Sequence, residues 1–465
     1  MNGRRWGMGD GRWATSEVAP DKVMSREQAQ SLVEKVVKLS KAEAIQVNVG
    51  GGYTTNVRFA DNRISTAGAI SNAQLTVQSS FGPKHAAVST NDLSDESLER
   101  VVRQSEALAR LAPDDPEAMP PLPPQQYRDA RNFFESTANL DPAARADAAR
   151  LAIEPCKAAG DLKAAGFLNA GIGAGAVGNN KGLFAYQRST SSNYTLTVRT
   201  ADGTGSGWSG ADHPDWSQLD VKGVAQRAIE KARLSRNPSA IEPGRYTVVL
   251  EPQAVGDLVQ LLAFSLDARS ADEGRSAFSK QGGGTKIGEK LVDERVNLFS
   301  DPIDPQLLSN VFDGQGLPVQ RQVWIEKGVL KKLTYSRFWA QKKNTTPDAG
   351  TNAVKLGGGD ASLDDLIRST QRGVLVTRLW YLRPVDPRTV LYTGLTRDGT
   401  FLIENGKISR AVKNMRFNES PLFMLNNLEM LGRAVRVAGT EAGGDVVMPS
   451  IKVRDFNFTS LSDAV

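Results

Sequence analysis

Apolar residues recur at helical spacing through SREQAQSLVEKVVKLSKA, and Ser25 stands where an N-cap belongs, so the patterned part of the chain begins with an amphipathic helix. The period then changes. AIQVNVG, YTTNVRFA, RISTAG, AQLTVQSS and KHAAVST alternate as strands do, with GG, DN and GP pairs marking turns between them. DLSDESLERVVRQSEALARLA returns to the helical period, with Asp92 or Ser94 as its cap. Helix, antiparallel strands and helix make one α+β unit over residues 24–115. The proline-rich residues 116–127 read as an extended connector.

Residues 128–240 repeat the same grammar: a helix from Pro142 to Ala159, a meander of strands turning at GNNKG, and a helix from about Ser217 to Ser235. A third unit, 241–465, opens with the strand TVVLEP and the helix QAVGDLVQLLAFSLDA. The apolar residues Val255, Leu258, Val259, Leu261, Leu262, Phe264 and Leu266 cover most of that helix's circumference, which predicts burial on more than one side. The remainder is mostly long alternating strands, with hairpin chemistry at Glu326–Gly328 and Glu404–Gly406. A large antiparallel sheet, curved or partly closed into a barrel around one helix, is the expected architecture, and the fold class is α+β. The first 23 residues carry no periodicity and are expected to be a disordered extension, with Met24 an alternative start.

Composition narrows the function. The 465 residues are 40% hydrophobic and 23% charged, ordinary for a globular chain of two or three domains. No apolar run approaches the roughly 20 residues of a membrane span, and a single cysteine suits a reducing compartment, so the expectation is a cytoplasmic protein. The net charge of +5 comes from Lys and Arg interspersed with 52 acidic residues. That describes a solvated surface rather than a nucleic-acid site. The densest cationic stretch, Lys327 to Lys343, interleaves aromatics as single-strand binders do, but it equally fits an exposed hairpin followed by a short helix.

Candidate chemistry is sparse. Only two histidines exist, His85 and His213, in different segments, and Cys156 has no cysteine partner and reads as a small core residue. Gly173–Gly178 spells GxGxxG, yet a turn and another strand follow it where a dinucleotide fold needs a helix. GGGTKIGE lacks the Lys-Ser/Thr of a phosphate loop, and no GxSxG elbow occurs.

The segments SAFS with KIGEKL, FDGQGLPVQ, IEKGVLKKLTYSRFWA, RGVLVTRLWY, TGLTRDGTFLIENGKI and PSIKV together resemble the TldD/PmbA family, from about Met24 to Thr459. The resemblance implies a dimer with a tunnel between protomers, and a TldD branch that is a zinc peptidase built on a His-Glu-x-x-x-His helix. Aligned on Ser276 to Phe278, those positions fall on Val259, Gln260 and Phe264, which offer neither zinc ligands nor a general base. The branch that pairs with a catalytic TldD chain, TldE/PmbA, is therefore the closer likeness. It implies a noncatalytic subunit, no cofactor in this chain, zinc in a TldD-type partner, and an extended peptide as substrate of the complex.

The family's further cysteine ligand has no counterpart in GTEAGGDVVMPS, and Val259 and Phe264 are expected to fill the metal's space. Arg275, Ser276, Ala277 and Phe278 are candidates for a sheet edge along which a peptide lies. Three alternatives stay open: an autonomous hydrolase using Asp267, Asp272 and Glu273, a regulator of the gyrase-modulator type, and a self-dimer.

Overall fold

The computed structural model describes residues 23–440 and 443–462. Of the extension expected at 1–23, residues 1–22 lie outside the described residues, and Val23 is buried. Helix α1 (Arg26–Leu39) starts with a capping box, in which the Ser25 hydroxyl accepts from the Gln28 backbone and the Gln28 side chain accepts from the Ser25 N–H. Strands β1 (Ala44–Ala60), β2 (Arg63–Phe81) and β3 (Lys84–Thr90) follow, then α2 (Asp95–Leu111), capped by Ser94. The DN and GP turns form as expected, with Asp61, Asn62 and Gly82 at positive φ.

The GG pair does not break a strand. Gly50 to Gly52 run straight through β1, paired to β2 on one side and to a glycine-rich strand on the other. A Cβ at Gly51 would stand 2.8 Å from the Asn72 carbonyl oxygen, so glycine there serves close packing of neighbouring backbones, not a turn.

A short helix α3 (Glu135–Ala138), α4 (Pro142–Ala159), strands β4 (Leu162–Asn179), β5 (Phe184–Thr200) and β6 (Ser206–His213), and α5 (Val221–Leu234) complete this half. The helix expected from about Ser217 is split, because Asp215 caps a single 3₁₀ turn at Trp216–Gln218 before Asp220 caps α5. GxGxxG lies inside β4, mid-strand, with no helix after it.

The two units read separately from sequence share one antiparallel sheet, in the order β3-β2-β1-β4-β5-β6. Its helices lie on one face only. Val47, Val49, Leu75 and Val77 pack under α1 and α2, and Val57, Phe59, Leu168 and Leu196 under α4 and α5. Alternation therefore turns Asn48, Thr54, Arg58, Phe167 and Thr195 to the uncovered face.

The C-terminal half begins with β7 (Gly244–Leu250), α6 (Pro252–Phe264) and α7 (Ala268–Asp272). The single helix expected here breaks at Ser265–Asp267, where Asp267 caps α7 through the Ser270 N–H. Strands β8 (Leu298–Ser300), β9 (Gln322–Glu326) and β10 (Val329–Leu330), helix α8 (Arg337–Lys343), β11 (Val354–Leu356) and α9 (Leu363–Arg368) come next. Then come β12 (Arg372–Asp386), β13 (Leu391–Glu404), β14 (Lys407–Ala411), β15 (Met415–Glu419), α10 (Pro421–Asn426), β16 (Leu428–Arg436) and β17 (Val446–Leu461).

The order β17-β15-β13-β12-β7 closes on itself because β7 also pairs with β17. Two pairings, β7 with β12 and β11 with β17, are parallel, so the sheet is mixed rather than wholly antiparallel. Both hairpin turns form, with Lys327, Gly328, Asn405 and Gly406 at positive φ. The cationic stretch is the short hairpin plus α8, and part of its charge is paired: Lys343 pairs with Asp272 at 3.1 Å, and Trp339 donates to the same carboxylate at 2.7 Å. No helix among the described residues is long and apolar enough to cross a membrane.

Candidate functional site

Helix α6 carries Val259, Gln260 and Phe264, the positions that the resemblance aligns with a metal centre. Pro252 at its first turn starts the helix, and its apolar side chains set it into the core, with Val255, Leu258, Val259 and Leu262 fully buried. Val259 is core packing, as expected. Phe264 is not: it is 46% exposed, because α6 ends there and the last turn emerges from the core. It lines a small hollow of about 280 Å3 shared with Gln260, Asp267, Trp324 and Asn352.

One side of α6 carries a polar stripe that hydropathy patterning passed over. Gln253, Asp257 and Gln260 sit at i, i+4 and i+7, and all three are buried. Gln253 donates to the Gly439 carbonyl at 2.6 Å, and Asp257 accepts from the Leu379 N–H at 3.2 Å. Gln260 uses both ends of its amide, donating to the Gly443 carbonyl and accepting from the Thr440 hydroxyl. Thr440 and Gly443, in the stretch where the resemblance offers a cysteine, thus hold the position that the resemblance aligns with the catalytic glutamate. The approach is close: a Cβ on Gly444 would stand 2.5 Å from the Asn352 carbonyl oxygen, and its φ of 102° suits glycine alone. The signal was present in sequence as Gln-x3-Asp-x2-Gln inside an apolar helix.

The donor set does not fit a zinc ion. Val259 and Phe264 have no lone pair to give, and the Gln260 amide oxygen is already committed to Thr440. Among the described residues no group of three or more His, Cys, Asp and Glu converges as a metal site. His85 lies at β3 beside Asp115, 3.7 Å away. His213 lies at the end of β6 and accepts from the Asp215 N–H at 2.9 Å; burial, then Arg436, hold its pKa below the usual imidazole value.

The remaining sequence candidates are placed apart. Asp267 caps α7, Asp272 is held by Lys343 and Trp339, and Glu273 pairs with Arg269 at 3.0 Å, so the three carboxylates hold structure rather than face one reacting position. The segment Arg275 to Phe278 forms no strand. Arg275 is exposed and paired with Glu273, while Ser276 and Ala277 are buried and Phe278 is fully buried in the C-terminal core. The expected peptide edge is therefore a buried plug, because Phe278 supplies more apolar area to the core than any open groove would leave it.

A larger hollow, about 570 Å3, lies on the uncovered face of the N-terminal sheet, walled by Asn48, Thr54, Asn72, Gln187 and Ser189 and by strand glycines. Loop 310–314 closes one end, with Gln46 and Asn48 donating to the Gly314 carbonyl at 3.0 and 2.8 Å. Asp313, beside it, is occupied by the backbone N–H groups of Gln315 and Leu317. Neutral amides and hydroxyls bind; they do not supply acid or base.

Comparison with known proteins bears on the family and the fold. Three family models match in order: PmbA/TldA metallopeptidase domain 1 at 47–109, the central domain at 135–236, and the C-terminal domain at 243–460. TldE from Thermococcus kodakarensis has a similar fold, with a TM-score of 0.83 at 18% identity, covering 93% of this chain and 99% of that one. A metalloprotease of Methanothermobacter thermautotrophicus is 26% identical over 236 residues, 47% of this chain and 49% of the relative. A metalloprotease TldD homolog of Buchnera aphidicola subsp. Acyrthosiphon pisum is 25% identical over 231 residues, 46% of each. The chain spans about half the length of the curated relatives it matches.

Proposed function

The chain belongs to the PmbA/TldA metallopeptidase family, and from that premise we propose that it is the noncatalytic, TldE-like subunit of a zinc peptidase complex. The observation that carries the reading is Gln260. Where the resemblance puts a general base, the chain has an amide hydrogen-bonded at its two ends to Thr440 and Gly443, with Val259 and Phe264 at the two ligand positions. Such a helix is built for packing, and it leaves the chemistry to a partner. In this reading the zinc sits on a His-Glu-x-x-x-His chain, the pair is a cytoplasmic heterodimer, and the substrate is an unfolded peptide held extended. The likeness to TldE supports the fold side of the proposal, and the metalloprotease names of the relatives support the reaction class.

Native mass spectrometry of this chain co-expressed with a His-Glu-x-x-x-His relative from the same genome tests it. The expected result is a one-to-one heterodimer carrying one zinc, with this chain metal-free when purified alone. A homodimer that ignores the relative, or zinc bound to this chain alone, would overturn the reading.

A further inference from the structure

The uncovered face of the N-terminal sheet has a second hollow, about 490 Å3, toward the Asp61–Asn62 turn. Its floor is the cross-strand row Arg58, Phe167, Thr195 and the neighbouring pair Thr197 and Trp208. Arg378, from β12 of the C-terminal half, forms the opposite wall. Its guanidinium carbon lies 4.9 Å from the Trp208 ring centre and 5.1 Å from that of Trp380, so two indoles hold it in place.

That placement leaves hydrogen-bonding capacity unused. Arg378 Nε is buried and finds no acceptor among the described residues, and its paired carboxylate, Asp398, stays 3.7 Å from Nη1, beyond hydrogen-bond range. Asp398 is shared, standing 3.8 Å from Arg397 and accepting the Ser206 hydroxyl at 2.6 Å. Arg58 is exposed and makes no ion pair among the described residues. Arg58 and Arg378 therefore line one hollow with no carboxylate among its lining residues, above apolar surface that includes a 40% exposed Phe167.

We propose that this hollow binds a carboxylate carried beside an apolar side chain, as at the free C-terminus of a peptide. Arg58 and Arg378 would supply the charge-assisted donors, and Phe167 and Trp208 the apolar contact. An Asp or Glu side chain next to an apolar residue presents the same chemistry, so the two sources are separated by experiment. The inference goes beyond the subunit role and does not depend on it, because binding is a property of this chain alone.

Isothermal titration calorimetry of the full chain tests it, with three N-acetylated tetrapeptides: one ending in leucine with a free carboxylate, its C-terminal amide, and an amidated peptide with glutamate before the leucine. The free acid is expected to bind, the plain amide to bind on the order of 10- to 100-fold more weakly, and Arg58→Gln and Arg378→Gln each to weaken the acid to a similar degree. Binding of the amidated glutamate peptide as tight as the free acid, lost in the same variants, would support the site and assign the carboxylate to a side chain. Equal binding of acid and plain amide, binding untouched by either substitution, or no binding of either carboxylate peptide would overturn it. Arg58 lies on the surface, so its variant keeps the test decisive even where Arg378→Gln perturbs the two indoles.

Discussion

Replacing Phe278 by alanine separates a core residue from a peptide contact. The ring is fully buried in the cluster formed by α6, α7 and the barrel strands, and its backbone is fixed by Lys286 N–H donating to its carbonyl at 2.8 Å. Truncating a buried phenylalanine removes its transfer free energy and leaves a cavity, a loss of about 3–5 kcal/mol. For a cooperative unit of roughly 150–250 residues, each kcal/mol shifts Tm by about 2–4 °C, so Phe278→Ala should lower the transition of the C-terminal unit by about 6–20 °C. Scanning calorimetry at one fixed scan rate reads this. Arg275→Ala is the control, since its pair with Glu273 is 59% and 34% exposed and an exposed pair contributes little, leaving Tm within about 2 °C. An unchanged Tm for Phe278→Ala, combined with loss of peptide processing by the complex, would refute the burial reasoning and return the residue to a groove.

Other outcomes follow from single residues. Burial pushes the Cys156 thiol up to about 11, so at pH 8 only about 0.1% is thiolate, and a thiol reagent should label the native chain far more slowly than the denatured one. Rapid native labelling would contradict its place in the core. Burial also pushes the Glu419 carboxyl up to about 7 from 4.5, despite backbone N–H donors from Ser420 and Asn457. The folded state therefore holds the proton more tightly than the unfolded chain, and this group's contribution to stability is full below about pH 4.5 and falls as pH rises to about 7. Glu419→Gln should gain in Tm relative to the parent between pH 5 and 8, and a pH-independent difference would exclude that linkage. A Cβ on Gly207 would overlap the backbone of α5 at Ala228 and Ala232, so Gly207→Ala should cost about 1–3 kcal/mol in a thermal melt, and a neutral effect would show that α5 can shift.

Periodicity and capping are local, and they were legible. Ser25 and Ser94 cap helices at positions the chain announces, and alternation identified nearly every long strand. The errors came where a residue's meaning depends on its neighbours in space. Gly51 and Gly52 look like a turn, but between two partner strands they are the residues that let three backbones pack closely. Phe278 looks like an edge residue until the barrel closes over it, and Phe264 looks like core until α6 is seen to end at the surface.

The candidate site divides the same way. That the three positions which the resemblance aligns with a zinc site carry Val259, Gln260 and Phe264 is a matter of residue identity, read from sequence alone: two of them have no lone pair, and an amide is no base. That Gln260 is held by Thr440 and Gly443, and that Arg58 and Arg378 meet across one hollow though 320 positions apart, only the tertiary structure decided. Chemistry belongs to side chains and can be read one at a time, whereas a site is a juxtaposition, and juxtaposition is set by strand register and sheet closure.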